Sequence, residues 1–299
     1  MSAEDLGAIY SQPQAVLGVI FFLLPLKKGK IIFPRLKEKL EGRVNIEEVF
    51  EDIMEKDVEE GEKLYIPDVF MAKEGKKLVL KTSVDKIVLT PSSLFGKATI
   101  DKLSSLAYRG FRIVMINTID IHFLILEDIK TSRHYLIILG SRSNSKNLHG
   151  RLNKFLEKIG LYAVPAKLDP ERIDEIREGL KGELIDTTLV FSGLKIRSKR
   201  IMGKDFQNDP SYLRDANESL VKQHMFQFKT SPRSHPKVIT LSEDALVRFY
   251  SLTTFKEYEW FLRQYIFSYL RQIKKLPTPP ITGFYAPDDI FEGENEEEE

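Results

Sequence analysis

The chain has 299 residues, of which 42% are hydrophobic and 30% charged, with a formal net charge of +1 and no cysteine. A core of ordinary size is therefore within reach, and intrinsic disorder of the whole chain is excluded. So are a disulfide scaffold, thiolate chemistry and any cysteine-based zinc or iron–sulfur site. Lys, Glu and Ile are abundant while Asn and Gln are scarce, the composition expected of a thermophilic, archaeal protein.

In chain order, the first feature is the apolar run Ala15 to Leu26. It is shorter than the roughly 20 residues of a membrane span, contains Gly18 and Pro25, and follows the acidic Glu4 and Asp5. A buried strand or helix is expected, with no stable membrane insertion and a cytoplasmic location. The spacing predicts a helix after Pro34, with Leu36 and Leu40 on one face, and a second over Ile46 to Val58. Nine acidic residues between Glu47 and Glu62 make a solvated face or a docking surface for a basic partner. Residues 1–62 are taken as an N-terminal unit.

Residues 63–160 form the second unit. Strands are predicted over Leu64–Val69, Leu78–Lys81 and Lys86–Leu89, then a helix over Thr99–Tyr108 ending at Gly110. Strands follow over Phe111–Ile116, Ile119–Leu126 and His134–Leu139, then a helix over Ser145–Ile159. The fold class is thus α+β, a central antiparallel sheet with flanking helices in the order β-β-α-β-β-β-α. That order resembles the profilin-like and longin-type modules over about a third of the chain. The resemblance implies an interaction platform rather than an enzyme, and carries no residue assignments.

Residues 161–275 are expected to make a second, mixed α/β unit. Asp169 and Pro170 suit the N-cap and first position of a helix reaching about Leu180. Strands fit Thr187–Phe191 and Val238–Leu241. A helix opens at Thr254, where Thr254 and Glu257 form a capping box, and Tyr258, Phe261, Leu262 and Tyr265 recur at helical spacing. Residues 276–299 hold eight acidic residues and no Lys or Arg, so a disordered acidic tail is expected. No internal repeat is visible.

Motifs for catalysis are weak. Ser92 to Ala98 resembles the end of a phosphate-binding loop, but Pro91 stands at the first glycine and Ala98 at the magnesium-binding hydroxyl. Asp68, Glu74 and Lys76 have the types of a metal-dependent nuclease, but Glu74 and Lys76 flank a glycine in a hairpin-like turn. The histidines (His122, His134, His149, His224 and His235) form no i, i+4 metal pair, although His122 and His134 fall on strands expected to pair. No cofactor or catalytic residue is assigned.

The charge layout is the strongest remaining signal. Phe191 to Lys275 holds 16 Lys and Arg against 8 Asp and Glu, and the tail reverses that sign. Lys195, Arg197, Lys199 and Arg200 crowd together; Lys204, Lys229, Arg233 and Lys237 continue the bias, with Phe206, Tyr212, Phe226 and Phe228 interleaved. Such a row suits phosphate neutralisation with aromatic stacking. The leading expectation is therefore a non-enzymatic protein that binds DNA or RNA through this surface under control of the acidic tail. The alternatives are a protein-interaction module, with the tail recruiting a protein partner, and a metal-dependent nuclease.

Overall fold

The structure is a computed structural model. It describes residues 3–26, 30–41, 48–49, 63–65, 79–80, 82–90, 92–109, 111–140, 142–191, 198–203, 205–229, 234–273, 276 and 291–292. The chain begins with α1 (Ala3–Ser11), β1 (Gln14–Pro25), β2 (Lys30–Ile31) and α2 (Phe33–Glu41). Three short strands follow, β3 (Glu48–Val49), β4 (Lys63–Tyr65) and β5 (Val79–Leu80). A four-strand meander comes next, β6 (Thr82–Thr90), β7 (Ser93–Tyr108), β8 (Phe111–Asp128) and β9 (Arg133–Leu139), leading into α3 (Arg142–Lys158). Then come β10 (Leu161–Pro165), α4 (Pro170–Gly179), β11 (Glu183–Val190), β12 (Ser198–Met202) and α5 (Pro210–Asn217). The last elements are β13 (Leu220–Phe228), β14 (Lys237–Ser242), β15 (Leu246–Thr253), α6 (Phe255–Phe261), a π-helical turn at Leu262–Ile266, α7 (Phe267–Leu270) and β16 (Phe291–Glu292).

The fold is α+β, built on a 12-stranded and almost wholly antiparallel sheet. Its order is β12-β11-β13-β14-β15-β1-β9-β8-β7-β6, with β10 also pairing β1 and β4 pairing β8 in parallel. The apolar N-terminal run is thus the central strand. One edge of β1 pairs β9, and the other pairs β15 and then β10. Alternate β1 side chains serve two apolar layers. Val16, Ile20 and Phe22 join α1, α4, α6 and α7 on one face. Val19, Phe21 and Leu23 join Leu36 and Leu40 of α2 and Leu148, Leu152 and Leu156 of α3 on the other. Gly18 is required where it stands: a Cβ there would lie 2.8 Å from Ile137 and collide with the Tyr258 hydroxyl, which donates to the Val247 carbonyl at 3.0 Å.

Several expectations stand. α2, α3, α4 and β14 lie where they were expected, α4 starting at Pro170 after Asp169, and the capping box at α6 is present, Thr254 N–H donating to Glu257 at 2.8 Å and Glu257 N–H to Thr254 Oγ1 at 3.1 Å. One central expectation is overturned: Thr99–Tyr108 is strand, not helix, paired to β8 along its length. Tyr108 pairs with Phe111 and Arg109 has φ 49, so the chain reverses in a hairpin where a helix end was expected. Sheet pairing overrode a weak local helix signal. Four strands therefore run in succession from Thr82 to Leu139, and the order that carried the profilin-like and longin resemblance is not the one observed.

Phe111–Asp128 is one strand rather than two. Glu48 and Val49, expected in a helix, pair with Leu80 and Val79; the rest of Ile46–Val58 lies outside the described residues. In the tail, Phe291 and Glu292 pair with Ile31 and Lys30, a strand formed where disorder was expected. Most of the remaining tail lies outside the described residues. No helix among the described residues is long and apolar enough to cross a membrane.

Candidate nucleic-acid interface

β12 is an edge strand, and successive side chains on it turn to opposite faces. Lys199 reaches Asp215 of α5 on the helix-covered face. Arg200 grips the buried Asp186 of β11 on the other, its Nε lying 2.9 and 3.1 Å from the two carboxylate oxygens. The structure therefore does not gather these two neighbours on one face. Lys229 is exposed just beyond β13. Lys237 sits 3.7 Å from Glu257 and 5.9 Å from the Phe249 ring centre. Lys195, Arg197, Lys204 and Arg233 lie outside the described residues. The interleaved aromatics are packing groups: Phe226 and Phe228 are buried, and Phe206 and Tyr212 pack edge-on against each other at 5.1 Å.

A different surface emerges from the sheet. α2 and α3 cover the β6–β9, β1 and β10 region of their face, and of the C-terminal strands only Leu246 joins their apolar layer. Beyond Leu246 that layer takes in no residue of β11 to β15, where Asp186, Thr240 and Ser242 are buried and their neighbours on the same face are open. Its register is a straight row: Met202 opposite Asp186, Asp186 opposite Met225, Met225 opposite Thr240 and Thr240 opposite Arg248. Arg200, Thr188, Gln223 and Ser242 make the next row. Tyr250 and Leu252 follow Arg248 on the same side of β15.

Exposure on this face is 57% for the Arg200 side chain, 64% for Met202, 40% for Tyr250 and 70% for Leu252. Tyr250 is positioned from two sides. The Arg248 guanidinium lies 4.4 Å from its ring centre, and its hydroxyl is 3.3 Å from Thr240 Oγ1. Four strand spacings separate Arg200 from Arg248, a width of about 19 Å. Two planar cations thus flank a shallow patch holding an aromatic ring, thioethers and amides. Arg248 and Tyr250 were not among the residues singled out from sequence; the alternation of buried Val247 and Phe249 with exposed Arg248 and Tyr250 is the signal that marks them.

Other polar groups are struts. His224 is fully buried and its Nε2 lies 3.0 Å from Asp174, tying β13 to α4. Burial alone would raise the Asp174 carboxyl; His224 and Arg177 outweigh it and hold the carboxyl below its ordinary value. Asn153 locks α3 to β10 through both the N–H and the C=O of Ala163, at 2.7 and 2.8 Å. His122 stands opposite Leu139 and His134 opposite Glu127, so these two histidines occupy opposite ends of a hairpin rather than neighbouring positions. Among the described residues no group of three or more His, Asp or Glu side chains could hold a metal ion.

No protein-family model matches the chain, and no curated protein matches it.

Proposed function

We propose that the protein is a non-enzymatic binder of single-stranded nucleic acid, and that the uncovered face of β11 to β15 is its contact surface. The observation behind this reading is the juxtaposition of Arg200, Arg248 and the exposed Tyr250 ring on a sheet face outside the α2 and α3 layer. Unpaired bases stack on such rings and on guanidinium planes, while arginines neutralise the backbone. A flat face suits splayed bases rather than a duplex groove. Lys229 is exposed just beyond β13, and the sequence from Phe191 to Lys275, which includes Lys195, Arg197, Lys204 and Arg233, carries 16 Lys and Arg against 8 Asp and Glu. The acidic tail competes with nucleic acid for that positive charge.

The test is fluorescence anisotropy of single-stranded DNA, single-stranded RNA and duplex over a salt series, on the full chain and on a chain ending at Lys275. Tight single-strand binding that weakens with salt is expected, and removing the tail strengthens it. Arg248→Gln lowers the salt slope by roughly 0.7, the share of one phosphate contact on a single strand. Tyr250→Ala weakens binding with little change in slope, since stacking releases no counterions. Absence of binding at low salt refutes the reading. A protein-interaction surface then becomes the better account of the same face, on the strength of the exposed Met202 and Leu252.

A further inference from the structure

The sheet contains a slot. β9 ends at Leu139, opposite Gly18 of β1 on one side and His122 of β8 on the other. Both neighbours run on past that level, β1 to Gln14 and β8 to Phe111. Two strands that should sandwich a third therefore stand about 10 Å apart with no strand between them. The Gly140 N–H donates to the Leu17 carbonyl at 2.8 Å and closes the floor. A cavity of about 450 Å³ occupies the slot, walled by Val16, Leu139, Phe249 and Phe255 and edged by Gln14, Asp120, His122 and Arg248. That volume falls in the range of small-molecule sites.

The polar edge is specific. The His122 ring stacks on Phe95 at 5.5 Å and meets Phe255 at 6.1 Å, and its buried Nε2 has no hydrogen-bond partner. Buried polar nitrogens ordinarily find one. Burial, reinforced by Lys97, keeps the ring below the usual histidine value and hence neutral near pH 7. Asp120 is 2.7 Å from Lys97 and cancels its charge. Arg248 rests on Tyr250 and has no carboxylate partner among the described residues. The cavity thus mixes apolar walls with a polar edge, which carries one cation without a carboxylate partner among the described residues and one imidazole whose Nε2 has no hydrogen-bond partner.

We propose that this slot binds a small monocarboxylate with an apolar body. The guanidinium fork of Arg248 takes the carboxylate, His122 Nε2 hydrogen-bonds the ligand, and the body lies against Val16, Leu139 and Phe249. The site is separate from the open sheet face except for Arg248, and binding is scored without nucleic acid, so each reading stands or fails alone.

The test is calorimetric titration and thermal-shift measurement of the full chain with phenylacetate and hexanoate, against phenethylamine and phenyl phosphate. Both carboxylates bind saturably at one site and raise the melting temperature, while the amine does neither. Arg248→Gln, at an exposed position, weakens phenylacetate about tenfold, the effect of losing one charge-assisted contact. His122→Gln, checked for folding by circular dichroism, weakens it to a lesser degree. The proposal is overturned if neither carboxylate binds saturably, if phenethylamine or phenyl phosphate binds as well or better, or if folded R248Q binds phenylacetate unchanged.

Discussion

The two halves of the sheet are built to different rules. Around β1 and β9 both faces are covered, and the strands are almost continuously apolar: Val19 to Leu23 and His134 to Leu139 are buried at every position. In β13 and β15 burial alternates, because apolar packing covers one face alone. A strand covered on both sides has no polar position to spare, whereas a half-covered one sends every second residue to solvent. Function has room in the second kind of strand, and there Arg248 and Tyr250 stand.

The halves are latched by arginines from the C-terminal helical segment. Arg263, in the π-helical turn, donates to the carbonyls of Glu127 and Ser92, the latter at 2.7 Å, and to Glu259 at 2.9 Å. Arg271 holds the buried Asp128 with two bonds of 2.6 Å. Burial alone would raise the Asp128 carboxyl, but Arg271, the Thr131 hydroxyl and the Lys130 N–H outweigh it and hold it below the ordinary carboxylate value. Arg271→Ala, which leaves that carboxylate buried and unpaired, is the largest expected loss, about 3–5 kcal/mol at neutral pH in urea denaturation. Because the folded value of Asp128 is depressed, its contribution is complete above the unfolded value of about 3.9 and disappears as pH falls through the folded one. Wild type therefore loses more stability between neutral and strongly acidic pH than Asp128→Asn does; equal losses would show that the latch is not ionic.

The next contrast sets matched truncations in the two halves side by side. Ile137→Ala in β9, fully buried, costs roughly 2–5 kcal/mol. Leu252→Ala in β15, 70% exposed, stays within about 0.5 kcal/mol. Similar midpoints for the two variants would mean that the face of β15 is covered after all. The smallest effect is at the edge: Lys199→Ala removes an exposed pair with Asp215 and costs under about 1 kcal/mol, less still in high salt.

Legibility in the sequence followed the same division. The helices α2 and α3 could be placed from spacing and α4 from its Asp169-Pro170 start, while the apolar run of β1 could be read as buried but not as strand rather than helix. β7 could not be placed: Ile100, Leu103 and Leu106 sit at helical spacing, and only long-range pairing with β8 makes them strand. The basic residues were visible as a cluster, but strand alternation sends Lys199 and Arg200 to opposite faces, and a linear count of charge does not contain that information. The uncovered face is a property of where α2 and α3 dock, so it had no local signature beyond the alternation in β15. His122 likewise gained its meaning from the end of β9, a register fact absent from its own surroundings in the chain.

The most direct test of the central claim is amide chemical-shift mapping of the full chain with a single-stranded oligonucleotide at low salt. Shifts concentrated at Arg200, Gln223, Met225, Thr240 and Arg248 to Leu252 are predicted, with β6 to β9 unmoved. Shifts confined to the N-terminal half of the sheet, or none at saturating oligonucleotide, would contradict it.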